Sequence, residues 1–181
     1  MRRIAAACAT LLCLGAAAAG AQLPVRVPDI YYTPTRQAVA DHMLQLAGTG
    51  SDDVVFDLGS GDGRIVILAA QKYGARGVGV ELDRSLVETS RKSARDGGVA
   101  AQVSFVEGDL FEADISTATV VMLYLSASVN LDLEPKLKRE LKRELKRGAR
   151  IVSHQFPIGR WAPDRTVRAI DGTDLLLWTI R

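Results

Sequence analysis

Short apolar runs alternate with amphipathic stretches along most of the chain. The apolar runs have the length and residue types of buried strands and lie at 53–57, 77–82, 102–106, 118–125 and 149–155. The amphipathic stretches repeat their apolar positions at helical spacing and lie at 35–47, 63–73, 84–96 and 130–146. Thr35 and Asp83 are predicted N-caps for two of these helices. Strands that alternate with helices predict an α/β domain with a doubly wound, mostly parallel sheet.

Two further apolar runs, at 166–170 and 175–180, flank the pair Asp171-Gly172. An Asp-Gly pair between apolar runs is typical of a β-hairpin. With this hairpin the prediction becomes a Rossmann-like, seven-stranded sheet that is mostly parallel and ends in an antiparallel pair. No linker interrupts the pattern, so residues 22–181 are predicted to form one domain.

The N-terminus follows a different pattern. Two arginines precede an apolar, Ala-rich run at 4–21, which ends in Ala19-Gly20-Ala21. A positive start, an apolar middle and a small-x-small end are typical of a secretory signal peptide, here cut after Ala21. The run is also long enough to act as an uncleaved membrane anchor. We therefore expect residues 1–21 to export the domain to the periplasm or to anchor it to a membrane.

Composition narrows the chemistry of the domain. Cys8 and Cys13 both lie in the leader, so the rest of the chain would hold no disulfide and no thiolate nucleophile. The two histidines, His42 and His154, are far apart in sequence, and no metal site is predicted. The chain has 23 basic and 21 acidic residues, which balance once the two leader arginines are removed. A neutral domain is not expected to attract nucleic acid.

The helix predicted over 130–146 carries a repeat with a period of four residues. Its leucines form one apolar stripe, and its glutamates can pair with basic residues one turn away. The stripe consists of Leu133, Leu137, Leu141 and Leu145. This pattern fits a solvated helix packed on the sheet. It also fits a local basic face that contacts anionic lipid or an acidic partner.

A glycine-rich loop follows the first strand. The strand ends in Asp57, and the loop holds Gly59, Ser60, Gly61 and Gly63 before a helix begins. Glycines at a helix N-terminus let the backbone approach a ligand and leave amides pointing at it. Dinucleotide folds favour the spacing G-x-G-x-x-G. The spacing here is D-x-G-x-G-x-G, which resembles motif I of the class I S-adenosylmethionine (SAM) methyltransferases.

Acidic residues at the ends of the first three strands are the other cofactor candidates. Asp57 is expected to accept a hydrogen bond from the amino group of SAM. Glu81 lies 18 residues after Gly63, close to the spacing at which Rossmann-type sheets bind ribose hydroxyls. In the class I methyltransferases, the acid after the third strand accepts from the adenine amino group. The resemblance assigns this role to Asp109, and the neighbouring backbone contact to Leu110.

A narrower resemblance covers nearly the whole domain. The segments that carry it, besides motif I, are Tyr32-Thr-Pro-Thr35, Gly77-Val-Gly-Val-Glu81, Leu123-Tyr-Leu125 with Asn130, Val152-Ser-His-Gln-Phe156 and Trp161-Ala-Pro-Asp164. They are similar to segments of the protein-lysine methyltransferases that act on the ATP synthase c-subunit and the adenine nucleotide translocase, and of their bacterial relatives. The D-L-G-S-G core also resembles the Dot1-type lysine methyltransferases. The resemblance implies methyl transfer from SAM to a lysine ε-amine of a protein substrate.

Lysine methylation needs positioning, exclusion of water and an uncharged amine more than it needs a strong nucleophile. Tyr124 follows the fourth strand, where class I enzymes place substrate-facing residues, and is the main catalytic candidate. Tyr32 is the second candidate, and Asn130 is the third. Tyr32 and the cofactor candidate Thr35 lie in the segment expected to close over the methionine end of SAM. Weaker candidates are Ser126 and His154.

Three other functions are compatible with parts of the sequence. A small-molecule O- or N-methyltransferase would use the same cofactor site. A catalytically silent, exported binding protein on this scaffold would agree with the leader, since SAM is made in the cytosol. A NAD-dependent oxidoreductase is disfavoured by the glycine spacing.

Overall fold

The computed structural model describes residues 32–143 and 148–181. The predicted leader at 1–21 lies outside the described residues. The strands are β1 Val54–Leu58, β2 Arg76–Glu81, β3 Val103–Glu107, β4 Val120–Leu123, β5 Arg150–His154, β6 Arg165–Arg168 and β7 Asp174–Thr179. The helices are α1 Gln37–Ala47, α2 Arg64–Tyr73, α3 Arg84–Asp96 and α4 Ala127–Arg143. None of these described helices combines the length and apolar character needed to cross a bilayer.

The strands form one sheet in the order β3-β2-β1-β4-β5-β7-β6. Strands β1 to β5 pair in parallel, whereas β7 pairs antiparallel with both β5 and β6. The predicted seven-stranded, mostly parallel sheet with an antiparallel C-terminal pair is therefore confirmed. The turn between β6 and β7 contains Gly172 with a φ of 82°, a conformation that suits glycine.

The helix starts agree with the sequence in one case and differ in another. Asp83 caps α3, because its carboxylate accepts from the amides of Ser85 at 2.7 Å and Leu86 at 3.4 Å. The prediction that Thr35 caps α1 is wrong, since Arg36 holds the cap position without a side-chain bond. Thr35 is instead buried, and its carbonyl accepts a hydrogen bond from Arg64 at 2.9 Å. Tertiary contact with the glycine loop thus outweighs local capping here.

Apolar clusters cover both faces of the sheet. On one face, Leu133 and Leu137 of α4 pack with Trp178 of β7, and all three are almost fully buried. On the other face, Met43 and Leu44 of α1 pack against the strands and α2. Each such side chain contributes about 1.5–3 kcal/mol by burial. The first half of the predicted leucine stripe is confirmed, whereas the side chains of its second half lie outside the described residues.

The connection from β4 to α4 is shorter than predicted. Helix α4 begins at Ala127, three residues earlier than expected. Ser126 fixes this start, because its Oγ accepts from the amide of Val129 at 3.3 Å and its carbonyl accepts from the amide of Asn130 at 3.0 Å. Tyr124, Leu125 and Ser126 therefore form a tight turn at the carboxyl end of the sheet.

Candidate active site

A cavity of about 670 Å³ opens at the carboxyl ends of β1, β2 and β4. Ligands of open α/β sheets bind at this edge, beside the point where the strand order reverses. Its walls come from the segment 32–35, the glycine loop after β1, the ends of β2 and β3, and the turns after β4 and β5. The structure thus brings together nearly all of the residues that the sequence singled out.

Side chains of other elements pack closely against the glycine loop, in which Gly59 and Gly61 line the cavity and Gly63 does not. Gly59, Gly61 and Gly63 have φ values of 82°, 54° and 77°, which disfavour any residue with a side chain. A Cβ at Gly61 would overlap the ring of Tyr32. A Cβ at Gly63 would lie 2.5 Å from Cε1 of Phe105. The glycines therefore serve both the backbone conformation and the close packing around it.

Asp57 is a buried carboxylate that lacks a protein partner. Only 3% of the residue is exposed, and no described residue donates a hydrogen bond to its side chain. Burial, followed by the nearby charges of Glu81 and Asp62, raises the pKa of Asp57 well above its ordinary value. Ser60 beside it has a buried Oγ that also lacks a partner among the described residues. This part of the cavity therefore favours a ligand that brings a positive charge and hydrogen-bond donors.

Glu81, at the end of β2, holds the glycine loop. Its Oε2 accepts from the amide of Gly61 at 2.8 Å, and its Oε1 accepts from the amide of Asp83 at 2.9 Å. Each carboxylate oxygen can accept a second hydrogen bond, so the predicted contact with ribose hydroxyls is compatible with this geometry. The sequence did not indicate the contact with the loop.

Asp109 and Leu110 line the cavity after the end of β3. The Oδ1 atom of Asp109 accepts from the amide of Phe111 at 2.9 Å, which fixes the turn. Strands β2 and β3 are paired so that Glu81 lies opposite Glu107, two residues before Asp109. The residues predicted to bind the ribose and the adenine are therefore neighbours at one edge of the sheet.

Arg64, which is ion-paired with Asp62, joins the segment 32–35 to the glycine loop through hydrogen bonds. Arg64 donates from Nε and Nη2 to the two carboxylate oxygens of Asp62, at 2.9 and 2.6 Å. The same guanidinium donates to the carbonyl of Thr35 at 2.9 Å and to the hydroxyl of Tyr32 at 3.4 Å. Burial and the nearby Asp62 raise the pKa of Tyr32, so its phenol stays neutral. Arg64 directly follows the glycine motif, and its role could not be predicted from the sequence, because Thr35 and Tyr32 lie about 30 residues earlier.

Tyr124 lines the cavity directly after β4, as predicted from its place in the sequence. Its ring packs on that of His154, with the ring centroids 4.2 Å apart. Thr173 Oγ1 donates to Asp171 at 2.6 Å, and it therefore accepts from Nε2–H of His154 at 2.7 Å. Burial lowers the pKa of His154, which keeps the imidazole neutral. His154 thus supports the position of Tyr124 from behind.

The structure corrects the prediction that Asn130 touches the reacting groups. Its side chain is fully buried in α4 and does not line the cavity. Its Nδ2 donates to the carbonyl of Phe156 at 3.0 Å and to Oγ of Ser153 at 3.2 Å. Asn130 therefore acts on the cavity only through the turn after β5.

The fold and the cavity together define a class of protein. A parallel sheet whose seventh strand is inserted antiparallel beside the fifth is the architecture of class I methyltransferases. The unpartnered carboxylate of Asp57 suits the ammonium of SAM, and the glycine loop lets the backbone approach the cofactor closely. The chain is therefore a class I SAM-dependent methyltransferase.

Comparisons with known proteins identify the family. The model of the ANTKMT methyltransferase domain matches residues 57–165, and the chain belongs to this family. A protein-lysine N-methyltransferase of Saccharolobus islandicus is 42% identical over 81% of this chain and 89% of its own. The adenine nucleotide translocase lysine N-methyltransferase of Mus musculus is 37% identical over 84% of this chain. The aligned region spans 63% of that mouse protein.

A solved structure gives the same fold with a cofactor product bound. It is described as an RNA methyltransferase from Salinibacter ruber in complex with S-adenosyl-L-homocysteine. It is 55% identical to this chain, covers 82% of it and 94% of its own chain, and superposes with a TM-score of 0.76. SAM is thus the cofactor of this family, in agreement with the prediction from motif I.

Proposed function

We propose that this enzyme transfers methyl groups from SAM to the ε-amine of a lysine in a protein substrate. The observation that carries the proposal is the contrast between the two ends of the cavity. The cofactor end is acidic, whereas the end built by Tyr124, Leu125, Ser126, Gln155 and Phe156 is uncharged. The relatives described above as lysine methyltransferases support the same substrate class.

The uncharged end of the cavity fits the needs of a lysine acceptor. SAM supplies an electrophilic methyl group when bound. The protein has to present the amine in its neutral form, in line with that methyl group and away from water. An apolar, aromatic wall disfavours the ammonium form, because burial lowers the pKa of a lysine. Tyr124 and Phe156 provide this wall, and Tyr124 can also contact the amine through its hydroxyl.

The cofactor roles proposed from the sequence fit the observed positions. Asp57 would bind the ammonium group of SAM, and the backbone of 59–63 would lie along its methionine part. Glu81 would bind the ribose hydroxyls, while Asp109 and the backbone of Leu110 would contact the adenine. Thr35 and Tyr32 would cover the methionine end, held there by Arg64.

An RNA acceptor is the second candidate, because the Salinibacter ruber neighbour is described as an RNA methyltransferase. The charges around the cavity favour the lysine. Among the described residues that line it, Arg64 is the one basic side chain, and Asp62 neutralises it. Proteins that bind RNA present cations to the phosphate backbone. A lysine-bearing segment meets no such requirement, and the uncharged acceptor end suits a neutral amine.

Transfer of a tritiated methyl group from SAM into a cell lysate tests the proposal. We expect label in protein that survives ribonuclease, is lost with protease and yields methyl-lysine after acid hydrolysis. Label lost with ribonuclease would favour the RNA acceptor. Label in the small-molecule fraction would favour a small-molecule methyltransferase. Asp57→Asn should abolish the signal, whereas Asp52→Asn, at an exposed turn residue outside the cavity, should keep it.

We also propose that residues 1–21 export or anchor the enzyme, on the strength of their charge and apolar pattern alone. Mass spectrometry of the N-terminus from membrane and periplasmic fractions tests this. A chain that starts at Gln22 would support cleavage after Ala21. An intact Met1 in the membrane fraction would support an anchor, and an intact Met1 in the cytosol would contradict both.

A further inference from the structure

Gln155 has a backbone conformation that glycine normally occupies. Its φ is 69°, and among the described residues it is the one non-glycine with a positive φ. The amide of Phe156 donates to the carbonyl of His154 at 2.8 Å, so His154, Gln155 and Phe156 form a γ-turn. This turn is rare and strained for a residue with a long side chain. Strain of this kind persists where the surroundings impose it, and it concentrates at functional sites.

The surroundings do impose the turn. The amide of Gln155 donates to the carbonyl of Asp174 in β7 at 2.7 Å. The carbonyl of Phe156 accepts from Oγ of Ser153 at 2.6 Å and from Nδ2 of Asn130 at 3.0 Å. Ser153 and Asn130 are both fully buried. Three hydrogen bonds from three elements therefore hold a conformation that glycine would adopt without cost.

The turn places Gln155 at the acceptor end of the cavity. Strands β4 and β5 are paired with Leu123 opposite Ser153, so Tyr124 and Gln155 leave adjacent strands at the same edge. Both residues line the cavity. Gln155 is exposed, and its side-chain amide makes no hydrogen bond to any other described residue. The turn fixes the backbone of Gln155 at the acceptor end, and the side-chain amide is available to a substrate.

We propose that Gln155 binds the methyl acceptor, with its amide oxygen accepting a hydrogen bond from the lysine ε-amine. This inference rests on the proposed function. A neutral amide oxygen orients the N–H group, and thereby the lone pair, without the strong preference for an ammonium that a carboxylate would have. An amide is thus better suited than an acid to hold an amine that must be uncharged.

Gln155→Gly separates this role from a structural one. Glycine relieves the strained φ, so the melting temperature should stay equal or rise, and the affinity for S-adenosylhomocysteine should stay within twofold. The rate of methyl-lysine formation in lysate protein, at saturating SAM, should fall at least tenfold. A rate equal to that of the wild type would overturn the inference and leave the proposed function intact. A wild-type enzyme that labels no lysine would overturn both.

Gln155→Glu provides a second test that does not depend on how the glycine variant folds. The side chain keeps its shape, but a carboxylate stabilises the lysine ammonium. The pH–rate profile for methyl-lysine formation should therefore move to higher pH, with activity partly restored under alkaline conditions. An unchanged profile would contradict contact between Gln155 and the amine.

Discussion

The carboxylate of Glu81 accepts a hydrogen bond from the amide of Gly61 at 2.8 Å, across 20 residues of sequence. The residue proposed to bind the ribose therefore also fixes the loop that lies along the rest of the cofactor. Loop shape and cofactor binding depend on the same side chain.

Glu81→Gln should weaken binding of S-adenosylhomocysteine about 10- to 100-fold, because an amide cannot accept with both of its side-chain heteroatoms and one backbone donor loses its partner. Isothermal titration calorimetry measures the effect. Glu107→Gln is the matched control, since Glu107 lies opposite Glu81 in the sheet but outside the cavity. Equal affinities of the two variants would contradict a role for Glu81 in the site.

Gly61→Ala should lower the affinity for the cofactor by more than the added backbone strain alone explains. The new Cβ overlaps the ring of Tyr32, which would have to leave its place over the loop. Gly98→Ala is the control: its φ of 72° gives similar strain, and its Cβ would meet no atom within 4 Å. Both variants should lose about 1 kcal/mol of stability in chemical denaturation. Only Gly61→Ala should also lose cofactor affinity, and a similar loss in both would rule out the contact with Tyr32.

Asp57→Asn should stabilise the ligand-free protein at neutral pH while abolishing cofactor binding. Folding raises the pKa of Asp57 above its ordinary value of 3.8. At a pH below 3.8, Asp57 is protonated in both states, and the folded state carries no cost of a buried charge. Stability is then lost as pH rises through the raised pKa, and asparagine does not lose it. Urea denaturation should give the variant an advantage of about 1 kcal/mol or more at pH 7 that disappears near pH 4. A variant less stable than the wild type at pH 7 would contradict the cost of the buried charge.

Asn130→Ala should impair turnover without impairing cofactor binding. The change removes a buried donor to the carbonyl of Phe156 and should lower the free energy of unfolding by about 1–3 kcal/mol. At temperatures where the variant stays folded, kcat should fall while the affinity for S-adenosylhomocysteine is unchanged. Asp132→Ala, at an exposed position of α4, should change neither quantity. Parallel losses of kcat and affinity would indicate general damage in place of a role at the acceptor end.

Much of this fold could be predicted from residue periodicity. The alternation of buried strands with amphipathic helices indicated the sheet, and strand-end acids such as Asp57 and Glu81 marked the cofactor site because parallel strands end at one edge. Local signals worked where the partner is close in sequence, as for Asp83 at the start of α3. They failed for Thr35, whose backbone is used by a distant arginine.

Less of the acceptor end of the cavity could be predicted from the sequence. The sequence offers Asn130 as a catalytic candidate, but its buried amide donates to the carbonyl of Phe156 in the turn after β5. No local sequence pattern marks Gln155 as a site residue. Its positive φ arises from tertiary hydrogen bonds that the local sequence does not encode. The role of Arg64 likewise depends on contact with a segment about 30 residues earlier.

The insertion of β7 between β5 and β6 sets an order of assembly during translation. The acids and glycines of the cofactor cradle, from Asp57 to Leu110, precede α4 in the chain and are therefore synthesised first. The turn at Gln155 needs the carbonyl of Asp174, so it can form only after β6 has emerged and β7 has begun to pair with β5. The acceptor side of the cavity therefore depends on later residues of the chain than the cofactor side does. Truncation before β7 would remove the carbonyl that holds the turn at Gln155 but none of the residues that line the cofactor side.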